Sequence, residues 1–247
     1  MSFTPVPGSR KAESNYLDIS TESFSFKLNY PGSDRSRVPN RFSDPNYPED
    51  QLIAGGLSGL WYEADLNRYY TVSDVGPQAQ DIPEEVGFAF EGEKVFNDPN
   101  FPLQVYELKQ NKSGKVKVKD AVRLNVPDQQ GGFRPATGIG QMYRIDETSG
   151  EVSGRDSAAF TPDGNGGYAP VPADAFGMDP EGVLRLNIDG LNNGNAVFAI
   201  SDEYRPQVSI HDAETGNLIH RIVPKGSRYK GYGYEQGRGE VREFTKK

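Results

Sequence analysis

Five acidic positions within 25 residues, Asp179, Glu181, Asp189, Asp202 and Glu203, make one stretch of this chain the place where chemistry is easiest to imagine. The stretch runs from Asp179 to Pro206 and reads DPEGVLRLNIDGLNNGNAVFAISDEYRP. Two short apolar-alternating runs, Val183–Leu186 and Ala196–Ile200, flank a Gly/Asn-rich turn, so a hairpin would return its two acidic ends to one region. Carboxylates gathered at one spot repel each other and call for a cation, an arginine or solvent. Hard carboxylate oxygens suit Ca2+, and a bound divalent ion polarises a phosphoryl oxygen. The candidate metal ligands are Glu181, Asp202 and Glu203, joined by Asp74 from an earlier strand end. Arg205 is the nearest cation able to grip a phosphate bidentately. Asp179, directly before Pro180, fits a turn former as well as a ligand.

A second chemistry would need a nucleophile. Ser58 lies in the string Gly56-Leu57-Ser58-Gly59-Leu60, which misses the Gly-x-Ser-x-Gly elbow at its last position and has no helix after it. Only His211 and His220 could act as base, and strand histidines facing solvent are the simpler reading of both.

The elements that must position these residues recur. Ser58-Gly59 precedes the run YYTVSD and Pro77, much as Glu181-Gly182, 123 residues after Ser58-Gly59, precedes VFAISD and Pro206. Self-similarity of this kind signals a repeat architecture. Around it, 28 Gly, 18 Pro, 13 Tyr and 13 Phe in 247 residues, with no sustained helical stripe, indicate an all-β chain.

The first unit reads as strands Leu57–Tyr62, Arg68–Ser73, Leu103–Leu108 and Lys115–Val126, with an irregular excursion, Val75 to Pro102, after the second. The other unit reads as Val183–Leu186, Ala196–Ile200, Gln207–Asp212 and Asn217–Val223. Glu181 to Pro224 spans 44 residues, the length of a four-stranded propeller blade. Residues 1–50 read as a disordered lead, a strand candidate (Phe24–Leu28) and a long loop. Residues 51–224 form the propeller region, as a blade at 57–126, an insertion at 127–178 and a blade at 179–224. The insertion is long for a connection and holds a candidate hairpin, Gln141–Ile145 against Glu151–Gly154. Residues 225–247 are a basic, solvated tail.

Net charge is −8, but Arg221 to Lys247 carry +5, leaving −13 on the remaining 220 residues. An acidic body disfavours nucleic acid and favours cations. With no cysteine there is no disulfide framework and no thiolate metal site. No run approaches the roughly 20 apolar residues of a membrane helix, and the amino terminus shows no signal-peptide core.

GGLSGLWY followed by YYTVSD, then GMDPEGV, AISDEYRP and VSIHDAETGNLIHRIVP, resembles the esterase-like activity of phytase family, or phytase-like domains, over about Gly55 to Pro224. The resemblance implies a β-propeller, an extracytoplasmic setting and hydrolysis of small-molecule phosphate esters, here with Ca2+. Two blades cannot close a ring, so the expectation is an open, truncated propeller with an exposed edge that invites self-association. The alternative is a non-catalytic propeller fragment that binds or scaffolds a partner.

Overall fold

A computed structural model describes residues 56–76, 94–112, 116–128, 130–145, 152–156, 159–172, 174–204 and 207–225, together with the short strands 37–39, 51–53, 78–79 and 240–244. The strand candidate Phe24–Leu28 lies outside these residues. Among the described residues there is no α-helix; a single 3-10 turn, Asn192–Gly194, carries the tip of a hairpin. No helix of the described residues is long and apolar enough to cross a membrane. The chain is all-β, built from several sheets of which none closes on itself, an arrangement consistent with an open propeller-like arc.

Two sheets dominate, and only their strands are numbered here. The first is an antiparallel meander of β1 (Leu57–Glu63), β2 (Arg68–Ser73), β3 (Gln104–Gln110) and β4 (Val116–Arg123). The second is β5 (Pro180–Leu186), β6 (Val197–Asp202), β7 (Gln207–Asp212) and β8 (Leu218–Pro224), with β9 (Glu240–Phe244) added in parallel at its edge. That ninth strand lies within the basic tail, 225–247.

Strand formation follows the side chains. In β4 the Val-Lys alternation gives one half-buried and one exposed face. β2 and β6 sit second in their sheets and are buried over most of their length, as their Tyr, Val, Phe and Ile content requires. The apolar faces of the two sheets share a core of Val72, Leu103, Val105 and Leu124 with Val183, Phe198, Ile200 and Leu218. Trp61 packs against its margin, and the Tyr70 and Phe198 rings meet at 5.7 Å between centroids.

β1 and β5 lie side by side and meet closely at two glycines. A Cβ on Gly59, whose φ is +60°, would sit 2.8 Å from the Gly182 Cα. Glycine is needed here both for the left-handed backbone and for the contact itself. These are the glycines that the repeat had matched.

The excursion and the insertion are not independent of one another. Lys94–Phe96 from the first pairs in parallel with Ala159–Pro162 from the second, in a four-stranded sheet completed by Gln78–Ala79 and Tyr168–Val171. The hairpin expected in the insertion is present as Gln141–Ile145 against Val152–Asp156.

Candidate metal centre

The acidic corner begins where the chain enters β5. Asp174 is held by a bidentate pair with Arg134, at 2.7 and 2.6 Å, and its Oδ1 accepts the Phe176 N–H. The Met178 N–H then donates to the Thr137 carbonyl, which fixes the position of Asp179. Asp179 is only 3% exposed. Its N–H donates to Asp202 Oδ1 at 2.9 Å, and its carbonyl accepts the Glu203 N–H at 2.9 Å. The start of β5 and the end of β6 are thereby locked together.

Between these contacts β5 bulges. Pro180 pairs with Asp202 and Gly182 with Ser201, which leaves Glu181 as the extra residue. A bulge re-aims a side chain out of the regular alternation. Here it brings Glu181 to the two neighbouring acids: carboxylate oxygens of Asp179, Glu181 and Glu203 all lie within 4.8 Å of one another. Asp179 is buried, and the two glutamates are exposed. Such a group could bind a metal ion.

The other expected ligands are placed differently. Asp202 lies beneath the cluster, buried, with Oδ1 accepting the N–H groups of Asp179 and Tyr204 and Oδ2 accepting the Gln207 amide at 2.6 Å. Both of its oxygens are committed to holding the corner. Asp74 stands at the end of β2, where its N–H donates to the Gly56 carbonyl and its Oδ1 accepts the Val75 N–H. It is not one of the three that converge. Arg205 lies outside the described residues.

Tyr204 links these groups, and sequence reasoning passed over it although it sits inside the SDEYRP string. Its hydroxyl donates to the Gly138 carbonyl at 3.0 Å, and a Cβ on Gly140 would fall 2.0 Å from its ring. Burial, followed by the charges of Asp179, Asp202, Asp74 and Glu203, pushes its pKa far up, so the phenol stays protonated. One buried tyrosine thus feels acids from both repeats.

The serine-histidine alternative is not assembled. His211 is fully buried, with Nδ1 2.9 Å from the Gly216 carbonyl, and burial lowers its pKa to about 4. His220 is buried as well. The expectation of solvent-facing histidines is therefore corrected. β7 and β8 are covered on both faces, so alternation along them does not select a wet side. No hydrogen bond joins Ser58 to either ring among the described residues.

The bulged β5, its acidic corner and the matching hairpin of the first sheet fall within one family model, the esterase-like activity of phytase, which matches residues 53–239. The chain belongs to the phytase-like family. No curated protein matches it.

Proposed function

We propose that this phytase-like chain hydrolyses phosphate esters, and that Asp179, Glu181 and Glu203 hold the divalent cation the reaction uses, Ca2+ before others. The observation that carries this reading is the convergence of three carboxylates within 4.8 Å at a bulge. The family supports the substrate class. The donor set fits: three hard-oxygen side chains with open solvent on the glutamate side leave room for loop carbonyls, water and substrate. When bound, the ion polarises a phosphoryl oxygen and offsets developing charge.

The chain's own residues do the rest. Asp202 positions Asp179 and the Tyr204 backbone rather than ligating. Asp74 adds negative potential from the neighbouring repeat, and Tyr204 excludes water behind the cluster. Arg205, two residues beyond Glu203, takes a phosphate oxygen pair. The substrate is a small phosphate ester, met in an extracytoplasmic setting. The functional region is 51–224. Leu60, Tyr62 and Leu184, exposed on β1 and β5, are the surface through which copies would self-associate.

The test is hydrolysis of p-nitrophenyl phosphate and phytate, with and without added Ca2+. Turnover that chelation abolishes and Ca2+ restores supports the proposal. Ca2+ uptake without turnover would favour the binding-module alternative instead.

A further inference from the structure

At the outer side of the first sheet lies a cavity of about 430 Å³, lined by Gln104, Lys119, Asp120, Arg123 and Asn125 over a floor that includes Val118. Gln104 and Arg123 are direct register partners on β3 and β4. The Gln104 backbone is fixed by an N–H bond to Ser73 Oγ at 2.8 Å, and the residue is 2% exposed. Two donors of these lining residues, Gln104 Nε2 and Arg123 Nε, are buried without a hydrogen-bond partner among the described residues. Buried donors are normally satisfied, and leaving two unmet on paired residues is costly unless something supplies acceptors.

The remaining polar groups narrow the acceptor's chemistry. The Asn125 amide is already spent on the Thr215 carbonyl and on Asn217 Oδ1. Asp120 Oδ1 accepts the Ala121 N–H. That leaves Lys119 and Arg123 as the positive groups against Asp120, a net charge of +1 at the wall of a chain whose total is −8. An oxygen bearing negative charge satisfies both donors and the excess cation together, and charge-assisted bonds of this kind are the strong ones. The cavity volume falls in the range of small-molecule sites and exceeds what a lone oxyanion fills.

We propose that this cavity is a second ligand site, separate from the acidic corner, which takes a small molecule through a phosphate or carboxylate group. The oxyanion bridges Gln104 Nε2 and Arg123 Nε, with Lys119 at the mouth. Asp120 accepts from a hydroxyl elsewhere on the same ligand.

The experiment is calorimetric titration of the full chain with inorganic phosphate and, separately, with acetate. Metal is first removed on a chelating resin, so that no ion in the acidic corner can recruit the anion. The site predicts saturable 1:1 binding of at least one of the two. Phosphate binding tighter than acetate marks a phosphate-bearing ligand, and the reverse order a carboxylate. Arg123→Gln should weaken binding about tenfold and Lys119→Ala about threefold. Lys119 is exposed, so its variant remains informative even where Arg123→Gln fails to fold. Absence of saturable binding of either anion, or affinities unchanged in Lys119→Ala and in folded Arg123→Gln, would overturn the proposal.

Discussion

The first two strands of each main sheet are the same device built twice, and they differ where it counts. In both, the opening strand bulges near a glycine, and the residue beyond the second strand returns an N–H to the carbonyl before the first. Asp74 does so to Gly56, and Glu203 to Asp179. By that register Gly56, Ser58, Ser73 and Asp74 stand where the second unit has Asp179, Glu181, Asp202 and Glu203. One scaffold thus carries a single acid in one copy and four in the other. The bulge positions the corner, and side-chain identity decides whether the corner can bind a cation.

The largest effect expected from breaking the comparison is on stability. Asp202→Ala strips acceptors from two N–H groups and the Gln207 amide in a buried setting, and should cost about 3 kcal/mol or more. At the matching position, Ser73→Ala removes the acceptor of the Gln104 N–H and should cost about 1 kcal/mol. Urea unfolding of both variants measures the gap, and equal losses would contradict the proposed positioning role of Asp202.

A similar magnitude arises from pH, and only in the second unit. His211 is held neutral, with its pKa lowered from 6.5 to about 4. The unfolded chain therefore binds the extra proton between those values. Stability from this group is full above pH 6.5 and is lost as pH falls toward 4, by up to roughly 1.4 kcal/mol per pH unit. Melting across that window should show the slope, and His211→Asn should flatten it. A wild-type curve that is already flat would show that the ring is not buried neutral.

How far the sequence foretold this depends on the kind of pairing. β1, β2, β6 and β7 were legible within a residue or two, because apolar alternation and Gly/Asn turns bracket them. The sheet joining Lys94–Phe96 to Ala159–Pro162 was not, since strands of three and four residues paired in parallel across a long separation carry no local period. At the corner, matching Ser73-Asp74 to Ser201-Asp202 by identity is off by one. The backbone aligns Ser73 with Asp202 and Asp74 with Glu203, a register that the letters do not reveal. The same limitation left Asp179 open between turn former and ligand until the bulge turned Glu181 toward it.

The smallest effect concerns what joins the two copies. Arg185 Nη1 lies 2.8 Å from Glu63 Oε1, with both side chains about one-fifth exposed. Glu63→Gln should cost no more than about 1 kcal/mol, and the loss should shrink with added salt. A larger, salt-independent loss in denaturant titrations would mean that the pair acts through packing instead.

The central claim is that the acidic corner of the second unit, and not its counterpart in the first, binds the cation. Calorimetric titration of Ca2+ into the wild-type chain, Glu181→Gln and Asp74→Asn tests this most directly. The account predicts one Ca2+ per chain, an affinity about tenfold weaker in Glu181→Gln, and a smaller loss in Asp74→Asn, with the melting of the metal-free proteins unchanged. Absence of Ca2+ binding in the wild-type chain, or an affinity that survives Glu181→Gln intact, would contradict it.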